Sequence, residues 1–220
     1  MPSETFFNLS KEKQQRILSA ARKEFSRASL NEASIANVIK EAGIPRGSFY
    51  QYFQDKDDLY YYYFKTLRRD SHRFLIQVIQ QNDGDVFKGF EAYFSHLIPA
   101  VFSGEDALFY KNLFMNMDYH GFHRVAPHIE NQNSPEKRRE EFKKDQKELL
   151  DSIDVSNLKI HQTEELQLLL QMLMHIGFTS IADGYRCQKL DGNYDVETAI
   201  KKYQLKLSWL KNGAGKEPDK

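Results

Sequence analysis

Apolar residues along this chain return at three- and four-residue steps, and no stretch of useful length alternates with the two-residue period of a half-buried strand. The pattern therefore predicts an all-α protein. Ser10 stands before the first helical run, whose apolar face is Ile17, Leu18, Ala21 and Phe25. Ser34 is placed to cap a second, with Ile35, Val38, Ile39 and Ala42 at i, i+3, i+4 and i+7, and Gly43 closes it. A short third helix then begins near Pro45, a residue tolerated in a first helical turn, and turns Phe49 and Phe53 inward. A fourth runs from about residue 57 to 81 and stops at Asn82-Asp83-Gly84.

The remainder predicts about five more helices. Residues 86–102 and 106–117 flank a break at Ser103-Gly104, and 118–133 read as irregular. Ser134-Pro135-Glu136 starts a charged helix reaching about Ile153. Thr163 is placed to cap a long helix to about Leu190, and Asp195 a last one that ends at Asn212-Gly213, before a frayed tail. The predicted boundary lies within or beside the fourth helix, taken as domains of 1–56 and 57–220 that share a rigid connector.

Composition adds less. The chain has 220 residues with 31 basic and 31 acidic side chains, so net charge does not announce a nucleic-acid binder. Residues 1–70 hold 12 Lys+Arg against 9 Asp+Glu, a mildly basic head on a mildly acidic body. A lone cysteine, Cys187, excludes an intramolecular disulfide framework and a cysteine-based zinc finger. The start lacks a basic segment followed by an apolar one, so no secretion signal is expected. Residues 166–178, the most apolar stretch, are interrupted by Gln167, Gln171 and His175 and are too short to span a bilayer. The expected location is cytoplasmic, with no membrane partner.

The second and third helices meet around Gly43-Ile44-Pro45, the geometry of a helix-turn-helix whose second helix enters the major groove of DNA. That groove is about 12 Å wide, so an entering helix must be slim and polar outside. With Phe49 and Phe53 inward, Arg46, Ser48, Gln51 and Tyr52 are left outside, and Gly47 lets the backbone come close. Gln can read adenine and Arg can read guanine through two hydrogen bonds each, whereas hydroxyls and a Lys at helix starts suit phosphate oxygens.

The run IKEAGIPRGSFYQYFQDKDDL resembles the signature of the TetR family. In that signature a helix ends in Ala-Gly, a recognition helix ends in aromatic-x-Tyr-Phe, and a Lys and a Leu follow. The matching residues are Ala42-Gly43, Gly47, Phe49-Tyr50, Tyr52-Phe53, Lys56 and Leu59. Phe25 and its nine-residue step to Ser34 match as well, so the resemblance covers about residues 10–65. It implies that Ser34, Tyr50, Tyr52 and Lys56 meet phosphates while Arg46, Ser48 and Gln51 reach base edges or nearby phosphates. Ser29 departs from the family, which often has glycine there, and Pro45 stands where a capping side chain is common. A plain three-helix core accounts for Phe49 and Phe53 but leaves Tyr50, Tyr52 and their neighbours Arg46, Gly47 and Ser48 unexplained.

The resemblance further implies a homodimer on a palindromic double-stranded operator, repression as the common mode, and a C-terminal domain that binds a small-molecule effector. The expected dimer face is Leu166, Leu169, Leu170, Leu173, Gly177 and Ile181 with Val196, Ile200, Tyr203, Leu207 and Leu210. The other reading of these stripes is that they are packed inside one subunit. The aromatic supply invites a pocket of Phe94, Phe102, Phe109, Phe114, Met115, Phe122, Met172 and Phe178, with His96, His123 and His175 as polar groups. Taken singly, each of these is more often core. His120, His123 and His128 lack an acidic or cysteine partner and read as solvated loop histidines, so neither metal nor cofactor is expected. No phosphate-binding loop, nucleophile elbow or zinc-protease motif appears, so an enzyme using histidines ranks below a regulator, as does a dimeric interaction module.

Overall fold

The computed structural model describes residues 2–116, 136–191 and 195–214. Ten helices occur among them: α1 Glu4–Phe7, α2 Lys11–Arg27, α3 Ile35–Ala42, α4 Arg46–Tyr52, α5 Lys56–Gln81, α6 Val86–Ser103, α7 Ala107–Asn116, α8 Glu136–Asp151, α9 Thr163–Asp191 and α10 Val196–Asn212. The described residues contain no strand. No described helix is long and apolar enough to cross a membrane.

Most ends follow the side chains expected to set them. The Ser10 hydroxyl accepts from the Lys13 amide, and the Asp195 carboxylate from the Glu197 amide. Two caps differ. Ser34 sits in extended geometry at the start of α3, but its side chain makes no cap bond. Thr163 is already helical, and Glu165 does the capping by accepting from the His161 and Gln162 amides.

The chain divides into two compact units, one of Met1–Ser71 with Ala100–Asp118, the other of His72–Pro99 with Tyr119–Lys220. The breaks fall inside α5 and, after Pro99, inside α6. The first unit thus takes in α7, which the sequence reading placed with the C-terminal domain. The reason is polar as well as apolar. Asn112 donates to the Phe25 and Ser26 carbonyls at the open end of α2, at 2.9 and 3.0 Å. Arg22 pairs with Asp106 at 3.0 Å, and Tyr63 donates to the same carboxylate at 2.6 Å. Phe109 fills the space beneath, with ring centroids 5.2 Å from Tyr60 and 5.1 Å from Tyr63.

In the second unit, α9 and α10 pack on α6. Phe94 is fully buried, 5.0 Å from the Tyr203 ring and 5.9 Å from that of Phe178, and Tyr203 donates its hydroxyl to the Phe90 carbonyl at 2.9 Å. Gly177 exists for this contact, because a side chain there would overlap the Phe94 ring. Within the single chain the stripe expected at a dimer face lies mostly inward. Leu166, Leu170, Leu173, Gly177, Ile181, Tyr203 and Leu207 are buried within the subunit, and Leu169, Val196, Ile200 and Leu210 are half-buried. The exposed apolar side chains of the pair are instead Leu168, Met172, Leu190, Leu205 and Trp209.

Candidate nucleic-acid interface

The α3–α4 corner is fixed by backbone chemistry. Gly43 takes a left-handed φ of 61°, which any larger residue resists, and the Ile44 amide then reaches back to the Ile39 carbonyl at 3.2 Å. Pro45, with φ −63°, cannot cap through a side chain; its carbonyl accepts from Ser48 and Phe49 and starts α4. Val38, Ala42, Ile44 and Phe49 are buried beneath the corner.

Four expected contact residues lie on the open side of α4: Arg46, Gly47, Tyr50 and Gln51 are exposed, with Ser48 half-buried beside them. A Cβ added at Gly47 would meet no described atom within 4 Å, so no contact among the described residues requires glycine there. Tyr52 differs from its expected outward placement. Only 4% of it is exposed, because the Phe6 ring covers it at 6.4 Å and the Lys13 ammonium lies 5.7 Å from its centroid. Lys56 spends its ammonium on the carbonyls of Asn31 and Ala33, at 2.8 and 3.3 Å, closing the loop that leads into α3.

Sequence reasoning missed Glu24, a buried carboxylate under the start of α3. It accepts from the Ser34 amide at 2.7 Å, from Arg27 at 2.6 and 3.0 Å, and from Asn37 at 3.1 Å. The Arg27 hydrogen bond above all, then those of Ser34 and Asn37, hold its pKa down at about 2 against the opposing pull of burial. The i, i+3 spacing to Arg27 was the one signal in the sequence; Ser34 and Asn37 join it only through the fold. With its amide taken, Ser34 presents a half-buried hydroxyl at the helix start.

The expected effector residues are divided between the two units. Phe102, Phe109, Phe114 and Met115 fall in the first unit, and Phe94, His96, Met172, His175 and Phe178 in the second. Phe94 and Phe178 are core partners there, whereas His96, Met172 and His175 are exposed, His96 with its ring 4.7 Å from Phe74. Phe122, His123, His120 and His128 lie outside the described residues. Among described residues, no three His, Cys, Asp or Glu gather as metal ligands do. An open cleft of about 850 Å³ lies in the second unit, its apolar lining including Phe87, Leu158, Ile160, Leu168, Met172 and Leu210. Among the described residues, Met172 is the one member of the expected pocket that lines it.

A helix-turn-helix with a slim exposed second helix, followed by a larger helical unit, defines a class of bacterial transcription regulators. The family description "Bacterial regulatory proteins, tetR family" matches residues 17–63, and "Tetracyclin repressor-like, C-terminal domain" matches residues 85–214. The chain belongs to the TetR family. It is similar to the HTH-type transcriptional regulators SAB2452 of Staphylococcus aureus strain bovine RF122 / ET3-1, 36% identical over 72 residues, and SAUSA300_2515 of strain USA300, 37% identical over 73. Those matches cover 33% of this chain and span little more than a third of each relative, 37% and 38%. In fold it is similar to the regulator FadR of Bacillus subtilis in complex with stearoyl-CoA, with TM-score 0.52 and 16% identity over 91% of this chain and 99% of that one. A TetR regulator from Rhodococcus sp. RHA1 gives 0.50 and 16% over 92% and 99%.

Proposed function

We propose that this TetR-family regulator binds a palindromic operator as a homodimer, in the cytoplasm, and represses until a small, largely apolar effector releases it. The observation that carries the DNA-binding part is the open side of α4, where Arg46, Tyr50 and Gln51 are exposed around a glycine that no described residue requires. Arg46, Ser48 and Gln51 would reach base edges or nearby phosphates, and the Ser34 hydroxyl and Tyr50 would meet phosphates. Tyr52 and Lys56, expected at phosphates too, are taken as braces of the corner whose tips stay near the backbone of the DNA.

Two copies are needed because successive major-groove half-sites lie about 34–36 Å apart. The exposed Leu168 and Met172 of α9, with Leu205 and Trp209 of α10, favour those helices as the surface on which a second copy docks. For the effector, the fold neighbour's ligand makes acyl-CoA thioesters the first class to try. Binding shifts a two-state equilibrium only by its differential affinity for the two states, so release requires tighter binding to the DNA-free form.

The test is selection of DNA from a random pool by the purified protein at moderate salt. An enriched inverted repeat is expected, and its complex should fall apart when an acyl-CoA is added. A folded dimer that enriches nothing would remove the DNA-binding reading. An operator complex indifferent to acyl-CoA would remove that effector class alone.

A further inference from the structure

Helix α4 has seven residues, two turns, too few to hold its own shape in water. Its last carbonyls have no partner within the helix and must find one elsewhere. Two of them find Ser3, some fifty positions earlier in the chain. The Ser3 amide donates to the Tyr52 carbonyl at 2.9 Å, and the Ser3 hydroxyl donates to the Gln51 carbonyl at 2.5 Å. Ser3 stands at the N-cap position of α1, where a serine hydroxyl ordinarily accepts from an amide of its own helix; here it makes no such bond. The hydroxyl is committed to α4 instead.

The contact is anchored at both ends of the short segment. Phe6 is fully buried, with ring centroids 5.0 Å from Phe53, 5.4 Å from Tyr62 and 6.4 Å from Tyr52. Behind it, the Gln14 amide group of α2 donates to the Phe7 and Leu9 carbonyls at 3.2 and 2.9 Å. Residues 2–7 are therefore tied to α2 on one side and to the end of α4 on the other. The family match begins at residue 17, so nothing in it accounts for this segment.

We propose that residues 2–7 form a clamp on the recognition helix, and that Ser3 and Phe6 are positioning residues for base reading by Gln51. The proposal rests on the DNA-binding reading above. Base reading through paired hydrogen bonds tolerates errors of only about half an ångström, so a side chain on a fraying last turn loses discrimination before it loses phosphate contacts. The clamp satisfies the backbone of Gln51 itself and buries the ring of the next residue, which holds that last turn in place.

Ser3→Pro tests it in the full-length protein. Proline removes both donors while keeping the φ of −71° that Ser3 already has. Affinities for the selected operator and for a shuffled duplex are measured together with hydrogen exchange of the amides of residues 49–53. Losing two hydrogen bonds should cut the operator-to-shuffled ratio roughly tenfold, leave the shuffled affinity within about twofold, and speed exchange in α4. Phe6→Ala should act in the same direction, and Phe6→Leu should restore most of the ratio. An unchanged ratio in a folded Ser3→Pro protein overturns the clamp, as does an equal fall in both affinities. A wild-type protein that cannot tell the operator from the shuffled duplex overturns the DNA-binding reading, and the clamp falls with it.

Discussion

The α3–α4 and α9–α10 pairs both cover buried apolar residues, yet they differ in the large side chains they leave exposed. Outside α4 stand an arginine, a glutamine, a tyrosine and a bare glycine; outside α9 and α10, among polar and charged residues, stand the apolar Leu168, Met172, Leu205 and Trp209. The first set suits a hydrated polyanion whose edges carry donors and acceptors. The second suits dry contact with another apolar surface. Their glycines divide in the same way. Gly177 is a space taken by a neighbouring ring of the same subunit, while Gly47 is a space no described residue takes. What a helix exposes, and what its glycines leave room for, says more about its partner than its count of apolar residues.

The same substitution at the two glycines gives the largest and smallest effects. In Gly177→Ala the new methyl group meets the tip of the Phe94 ring, which Phe178, Tyr93 and Tyr203 hold on its other sides. The ring has nowhere to turn. Overpacking of this kind costs about 3 kcal/mol, and the urea midpoint should fall with an unchanged slope. A variant as stable as the parent would mean that the α6–α9 seam is looser than the ring contacts imply.

Next in size is the paired change Leu168→Glu and Trp209→Glu. Each places a carboxylate on a side chain more than half exposed in the single chain, so the fold should survive. If these faces join two copies, charge at the centre of the contact should weaken the dimer about a hundredfold or more, read by sedimentation. An undisturbed dimer would place the interface elsewhere and sever the apolar half of the comparison.

How far the sequence carried depended on where each partner lay. The α3–α4 corner was legible because Gly43, Pro45, Phe49 and Phe53 act on residues three to five positions away. The 26-residue α5 began within a residue of its expected start and ended where Asn82-Asp83-Gly84 stops it. Helix α1 was not legible, since four residues carry no periodicity and Phe6 meets Tyr52 across the fold. Nor was the contact of α7 with α2, which depends on Asn112 capping a helix more than eighty residues earlier. For α9, apolar residues on nearly every side left its inward stripe undetermined, and most of the stripe chosen for a second copy is buried in the single chain. Only the exposures separate core from surface there.

A third prediction concerns the polar side of the comparison. Because the folded pKa of Glu24 is depressed to about 2 from an ordinary 4.5, its carboxylate contributes stability that is fully present above pH 4.5 and drains away as pH falls toward 2. With charge-assisted hydrogen bonds to Arg27, Ser34 and Asn37 at stake, Glu24→Gln should cost about 1–2 kcal/mol near neutrality and flatten the acid limb of the stability profile. An acid limb identical to that of the parent would mean that the carboxylate does not hold the start of α3.

Gly47→Ala is the smallest in stability and the sharpest in meaning. Gly47 lies within α4 at ordinary helical geometry, with open space where a methyl group would go. Alanine loses less backbone freedom on folding than glycine does, so the variant should be about 0.5–1 kcal/mol more stable than the parent. The same methyl group would stand between α4 and the floor of the major groove, and operator affinity should fall even as the protein gains stability. Opposite signs in one variant separate a glycine kept for an outside partner from one kept for the core. If affinity rose together with stability, Gly47 would be a surface position without function, and the open side of α4 would have to be read by its side chains alone.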